Sequence, residues 1–228
     1  MAPIRRGKIG SSLKSESAQS KMGKNANIGI MGEKKLWSML TENANTRPYG
    51  IWSSLGIPQV RKKGKGGWYT TKDYANADVD FAIANGNKIV LVDAKKYASG
   101  KFYWGRKTIM EGLFTSKKDG KGKPIVMGRN MENALDKYRA REREIRKQFA
   151  KQGKNYPEVH ISAMVVFVPT PRLPKSVRFL VWPGGIKSYL PQDAVRKITK
   201  ILGKPDFSEP GTARINPVAE ALLNEQVK

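Results

Sequence analysis

Three aspartates and one lysine near the middle of the chain have the types and spacing that phosphoester hydrolysis requires. Asp78 and Asp80 begin a β-rich run, and Asp93 and Lys95 end a second run whose preceding residues, 89–92, are all apolar. Successive strand residues point to opposite faces, so Asp93 and Lys95 share a face. The pattern predicts carboxylates and an amine at the end of a buried strand.

The Asn85-Gly86-Asn87 segment separates the two runs and is typical of a β-hairpin turn. If its last two residues form the turn, Asp80 lies directly opposite Asp93. If its first two residues form the turn, Asp78 takes that place. A three-residue loop would put neither aspartate opposite Asp93, and the residues alone leave all three registers open.

In either two-residue register two carboxylates face each other, roughly 5 Å apart at Cβ. Like charges this close are unfavourable unless a positive group lies between them, and a divalent metal ion meets that need. Lys95 could then orient or deprotonate an attacking water while the metal stabilises charge on the phosphate oxygens. Polar residues also occur where a strand simply leaves the core, but the apolar residues before Asp93 favour the site.

The overall charge of the chain points to a polyanionic partner. The 228 residues include 43 Lys and Arg against 19 Asp and Glu, a formal net charge of +24. A compact chain of this charge repels itself, and nucleic acid is the expected counterpart, with an anionic membrane surface as the competitor. Hydrophobic residues make up 39% of the chain, enough for the core of one folded domain.

Cysteine is absent and His160 is the single histidine. This composition excludes disulfide scaffolds, zinc fingers and thiol nucleophiles, and it restricts any histidine-dependent triad to His160. No run of 18 apolar residues occurs, and the N-terminus lacks the apolar core of a signal peptide. We therefore expect a cytoplasmic protein of prokaryotic or phage origin that does not bind membranes.

The order of the helices and strands that the sequence predicts around these residues indicates an α/β fold with a central mixed β-sheet flanked by helices. Residues 46–71 read as a loop or weak hairpin, and residues 101–129 as irregular. We expect a flexible basic N-terminal arm at 1–27, a folded domain at 28–205 and a C-terminal tail at 206–228. The predicted helices cover 28–40, 131–152, 193–202 and 218–225, and the predicted strands cover the hairpin 78–97, 161–168 and 177–182.

Basic residues concentrate in two Lys/Gly segments and on the long helix, where they suit contacts with a phosphate backbone. Glycine lets a backbone approach closely while lysine supplies charge. The predicted nucleic-acid-binding residues are Arg61, Lys62, Lys63, Lys65, Lys117, Lys118, Arg139, Arg143 and Arg146.

Three motifs together resemble the PD-(D/E)XK, or restriction-endonuclease-like, nucleases, most closely the nuclease-related domain (NERD) type. They are Gly32-Glu33 in the first helix, Asp78-Val79-Asp80, and the Ile89–Lys95 strand with the sequence IVLVDAK. An Asn-led helix at Asn130 and the apolar strand at Val165–Phe167 continue the order. The resemblance spans roughly residues 28–202 and implies a restriction-endonuclease-like core.

The resemblance also implies roles for individual residues. Asp80 and Asp93 would bind Mg²⁺, for which Mn²⁺ would substitute, and the main-chain carbonyl of Ala94 would be a further ligand. Lys95 would be the catalytic lysine, and Glu33 would complete or order the metal site. Asp93 stands where the NERD type more often has Glu, which the wider superfamily pattern allows.

The resulting hypothesis is a Mg²⁺-dependent deoxyribonuclease acting on single- or double-stranded DNA, expected to form a homodimer. Two alternatives remain open: a non-catalytic nucleic-acid-binding protein that keeps a degenerate nuclease fold, and a basic structural protein of a nucleoprotein particle.

Overall fold

A computed structural model describes residues 3–9, 24–64, 67–70, 78–95, 101–103, 113–116, 123–125, 128–168, 181–205, 207–209 and 212–227. Four α-helices lie in this part of the chain: α1 Lys24–Glu42, α2 Gly128–Lys151, α3 Pro191–Leu202 and α4 Pro217–Gln226. The strands of the main sheet are β1 Arg5–Arg6, β2 Gly50–Gly56, β5 Asp78–Asn85, β6 Lys88–Lys95, β10 His160–Phe167, β11 Val181–Trp182 and β12 Ile186–Tyr189. The remaining strands are β3 Arg61–Gly64, β4 Gly67–Thr70, β7 Lys101–Tyr103, β8 Leu113–Ser116, β9 Lys123–Ile125, β13 Phe207–Glu209 and β14 Thr212–Ala213.

One mixed sheet organises the molecule, with its strands in the order β1-β2-β5-β6-β10-β12-β11. Strand β5 pairs antiparallel with both β2 and β6, and β10 pairs parallel with both β6 and β12. The sheet and its flanking helices form an α/β, restriction-endonuclease-like core, as predicted. Strands β5 and β6 lie at the centre of the sheet, so a site at their ends is held from both sides.

Each face of the sheet is covered by its own helices. One face packs Ile89 and Leu91 of β6 against α2 and α4. The other face packs Val90 and Val92 against α1 and α3. Because neighbouring residues of a strand point to opposite faces, β6 is apolar at consecutive positions and is buried on both sides.

Strand β2 occupies a stretch where the sequence predicts a loop or weak hairpin. Its sequence, Gly-Ile-Trp-Ser-Ser-Leu-Gly, is buried except at the final glycine. A strand covered on both faces shows no alternation of polar and apolar residues, so periodicity does not reveal it. Two further differences are the three-stranded β7-β8-β9 sheet within 101–129 and β12, which the sequence did not predict. Of the strand predicted at 177–182, only residues 181–182 lie in the described part.

The first described residues join the sheet, although the sequence analysis assigned them to an arm. Strand β1 pairs parallel with β2, and the Arg5 guanidinium donates to the main-chain carbonyl oxygens of Tyr49, at 2.6 Å, and Arg47, at 2.5 Å. Burial, with a smaller contribution from nearby Arg47, lowers the pKa of Arg5 to about 10. These hydrogen bonds stabilise the sheet edge. The division into arm, domain and tail stays a prediction.

The C-terminal helix α4 belongs to the hydrophobic core. Val218, Leu222 and Leu223 are fully buried in the cluster that contains α2. Arg141 of α2 holds Glu225 of α4 in an ion pair at 2.5 Å. Within the described residues, no helix has the length and apolar character needed to cross a membrane.

Replacement of Leu222 by Ala tests this packing. Because the side chain is fully buried, the truncation should leave a cavity and lower the free energy of unfolding by about 2–5 kcal/mol. Urea denaturation measures the change. Lys154→Ala, at an exposed residue, is the control and should change the free energy of unfolding by less than about 0.5 kcal/mol. Equal effects of the two substitutions would contradict the docking of α4.

Candidate active site

The register of the β5–β6 hairpin decides which aspartate faces Asp93. Strand residues pair as Phe81 with Val92 and Asn85 with Lys88, so Gly86 and Asn87 form the two-residue turn. Gly86 has a φ of 54°, a left-handed conformation that glycine adopts at little cost. One step beyond the pair of Phe81 and Val92, the same register places Asp80 opposite Asp93.

At this point the two strands stop pairing through their main chains, and a side chain takes over. The Ala94 N–H donates to Asp80 Oδ2 at 2.6 Å instead of to a main-chain carbonyl of β5. The pairing that the register records ends at Phe81 and Val92. We call the gap between the diverging ends of β5 and β6 the fork, and the Asp80 carboxylate lies in it.

The strand on the other side of Asp80 is distorted at the same level. In the β2–β5 ladder Ser53 pairs with Phe81 and Leu55 with Val79, but Ser54 and Asp80 are skipped. Ser54 has a φ of 53°, the only positive value among the described non-glycine residues. For a residue with a Cβ this conformation costs about 1–2 kcal/mol.

The distortion changes which side chains share a face. Leu55 packs in the same cluster as Trp52, and Val79 in the same cluster as Ala82. Residues three apart in a regular strand would point to opposite faces. Strict alternation, as assumed from the sequence, therefore fails between Val79 and Ala82, and the direction of the Asp80 carboxylate follows from its bond to Ala94 instead.

Asp93 and Lys95 project together, as their spacing predicts. The Lys95 ammonium donates to Asp93 Oδ1 in a short ion pair. The Asp93 side chain is 9% exposed and that of Lys95 is 33% exposed, so the carboxylate is recessed while the amine reaches solvent. Ile89 and Leu91 precede them on the same face, the one that α2 and α4 cover.

The fork collects oxygen atoms that suit a hard cation. The N–H and C=O of one strand residue point to the same side, so the Ala94 carbonyl points into the fork with its N–H. The Lys95 carbonyl points the other way, since it accepts from the Val168 N–H, just beyond the end of β10, at 2.9 Å. Two carboxylates and one carbonyl are a donor set that Mg²⁺ takes, so Asp80, Asp93 and Ala94 fit that ion.

Glu33 comes from helix α1 rather than from the hairpin. It is buried, with 4% of its surface exposed, on helix α1, whose Leu36 and Leu40 pack on the opposite face of the sheet from Ile89 and Leu91. Among the residues that the structure describes, no set of three or more carboxylate, histidine or cysteine side chains could jointly hold a metal ion. The role of Glu33 stays a prediction.

The arginines of α2 lie on the same side of the sheet as Asp93 and Lys95. Arg139 donates to the Ile161 carbonyl at 3.1 Å, and Arg146 to buried Glu142 at 2.9 Å, whereas Arg143 is exposed. On β10, Val165 pairs with Asp93, and Ile161 lies four residues before Val165. Arg139 therefore lies about 13 Å from the site along the strand.

The other predicted basic residues have side chains outside the part that the structure describes. Arg61, Lys62 and Lys63 lie on β3 of the β3–β4 hairpin, and their side chains are outside what the structure describes. Lys65, Lys117 and Lys118 lie outside the described residues altogether.

Sequence reasoning also missed Ser54, because a serine in a strand that the sequence does not predict carries no signal of an unusual backbone conformation.

A family model described as the nuclease-related domain matches residues 28–168, more than half of the chain. The searches of curated proteins and of solved structures gave no significant match.

Hydrogen exchange of the Ala94 amide tests the fork. Asp80→Ala removes the acceptor, and loss of a hydrogen bond to a charged group should speed exchange by roughly 10- to 100-fold. Asp80→Asn keeps an acceptor oxygen and should have a smaller effect. The amide of Val90, inside the same strand, is the reference. Unchanged exchange at Ala94 in Asp80→Ala would show that Asp80 does not hold this amide.

Proposed function

The chain belongs to the nuclease-related domain (NERD) family, and on that premise we propose that it is a deoxyribonuclease that uses Mg²⁺ to hydrolyse phosphodiester bonds. The observation that supports the proposal is the fork, where the hairpin register places Asp80 opposite Asp93 and Lys95 donates to Asp93. Asp80, Asp93 and the Ala94 carbonyl would hold the ion. Once bound, it would supply Lewis-acid stabilisation of charge on the phosphate oxygens.

The contacts of the protein prepare each group for this role. The Ala94 N–H anchors one oxygen of Asp80, and the Lys95 ammonium anchors one oxygen of Asp93. These two donors lower the repulsion between recessed carboxylates, since each brings positive charge close to one of them. The donors also limit rotation of both side chains, so their orientation is set before substrate arrives.

Lys95 would act on the substrate side. Its side chain is partly exposed while its ammonium is tied to Asp93, so it can reach a phosphate oxygen or the attacking water without leaving the site. In the proposed reaction it orients that water and stabilises the negative charge that develops on the phosphoryl group. The carboxylate of Asp93 keeps the amine in place.

DNA is the proposed substrate because of where the charge lies. The net charge of +24 attracts a polyanion. The arginine-bearing helix α2 packs on the sheet face from which Asp93 and Lys95 project, so a DNA backbone that extends from the site across this face would pass along it. Exposed Arg143 has its guanidinium available for a phosphate, whereas those of Arg139 and Arg146 bond within the protein. Arg143 lies beside Val159 and His160, at the end of β10 away from Asp93, so it would contact phosphates distant from the cleaved bond.

Cleavage of plasmid and oligonucleotide DNA tests the reaction. The wild-type protein should cut with Mg²⁺ or Mn²⁺ and not with EDTA. Asp93→Asn and Lys95→Ala should lower kcat by roughly 10²–10⁴-fold, the usual cost of removing a group that acts in the transition state, and should still bind DNA. Lys200→Ala, exposed on α3, is the control and should cut normally. A wild-type protein that binds but never cuts DNA or RNA would favour the non-catalytic alternative.

The dependence of DNA affinity on salt tests the basic surface. Each phosphate contact releases counterions, so Arg143→Ala should lower the slope of log K against log salt by about 0.9. Lys200→Ala, on the opposite face of the sheet, should leave the slope unchanged. Fluorescence anisotropy with labelled duplex and single-stranded DNA gives both slopes. Equal slopes for wild type and Arg143→Ala would remove α2 from the DNA-binding surface.

A further inference from the structure

An N-terminal segment outside the family match is built into the sheet at the outer edge of β2, which separates it from β5 and the fork. The matched region begins at residue 28, whereas residues 4–8 run along the edge of β2. The Ile4 carbonyl accepts from the Ile51 N–H at 2.9 Å, so the segment is anchored at the start of β2. It then follows β2 towards the end where Asp80 lies.

Ser54 joins this segment to the level of Asp80. Its hydroxyl donates to the Lys8 carbonyl at 2.6 Å, and the residue is 1% exposed. The hydrogen bond compensates burial of both polar groups. It also holds Ser54 in its left-handed conformation, which is where the β2–β5 ladder skips a pair and Asp80 turns towards Ala94.

The segment approaches β2 too closely for an ordinary residue at Gly7. Gly7 has a φ of 90°, and a Cβ at this position would collide with the Ser53 carbonyl oxygen. Gly7 and Ser54, the residue that follows Ser53, thus both have positive φ angles where the segment meets β2. Strained residues persist where the surrounding structure determines them, and they cluster at functional sites.

We propose that Ser54 is a positioning residue, which, held by the Lys8 carbonyl, sets the backbone of β2 so that the Asp80 carboxylate enters the fork and accepts the Ala94 N–H. A regular β2 strand would pair with β5 at this level, and Asp80 would then follow the alternation of its strand. The effect of Ser54 on cleavage rests on the proposed nuclease function. Its effect on the fork does not.

Two substitutions separate positioning from stability. Both Ser54→Ala and Ser54→Gly remove the hydroxyl, but only glycine relieves the strain of a positive φ. Ser54→Gly should therefore keep its Tm within about 3 °C of wild type, whereas Ser54→Ala should fall further. Both should speed exchange of the Ala94 amide by about tenfold, the equivalent of one lost hydrogen bond, with Val90 unchanged. If Ser54 served stability alone, the exchange rate of the Ala94 amide would change only as far as the Tm changes. Ser54→Gly, with a Tm near that of wild type, would then exchange at the wild-type rate.

Ser162→Ala is the matched control, since its hydroxyl lies on β10 and its 3.4 Å contact is with the Ile89 carbonyl, away from the fork. It should leave Ala94 exchange as in wild type. Gly7→Ala probes the segment itself: the collision with Ser53 should displace residues 4–8 and speed Ala94 exchange as the Ser54 variants do. Should Gly7→Ala fail to fold, the Ser54 pair still decides the question.

The exchange experiment uses the full chain without metal or DNA, so it is independent of the reaction. Faster Ala94 exchange in both Ser54 variants supports the inference even if the wild type never cleaves DNA. In an active wild type, both variants should also lower kcat by about tenfold with KM unchanged, because DNA binding rests on other residues. Wild-type Ala94 exchange in Ser54→Gly overturns the inference and leaves the proposed nuclease function standing.

Discussion

The site depends on one constraint: two aspartates occupy facing positions on adjacent strands, β5 and β6. Asp80 and Asp93 are recessed, with 8% and 6% of their surfaces exposed, where a negative charge is costly without compensation. An amide N–H and an ammonium, from Ala94 and Lys95, supply part of that compensation. The strands must diverge for the amide to become available to a side chain, so the fork follows from the same requirement.

The positive charge of the chain is divided between structure and surface. Arg5 bonds to main-chain carbonyls at the sheet edge. Arg141 pairs with Glu225 of α4 and with Glu144 of its own helix, contacts that raise the pKa of Arg141 above its ordinary value. These arginines are engaged within the protein and contribute mainly to packing and the general field. Arg143, on the same helix as Arg141, is exposed, so one helix serves both purposes.

Local patterns predicted the parts of the fold in which a periodicity survives. The amphipathic α2 and the hairpin around Gly86 follow from short-range chemistry, and the structure contains both close to the predicted bounds. Strand β2 and the edge strand at Arg5–Arg6 were not predicted. The first is buried on both faces and shows no alternation, and the second pairs with residues more than forty positions away. Neither property can be read from neighbouring residues.

By itself, the sequence determined the candidate set: Asp78, Asp80, Asp93 and Lys95 near a tight turn, in a chain basic enough to attract nucleic acid. It left three hairpin registers open, because turn residues of this composition permit each of them. The tertiary structure chose among them, since pairing with β2 and β10 on both sides allows only the register that buries the apolar faces of β5 and β6. It also turned Asp80 into the fork, through a strained serine that local sequence does not mark.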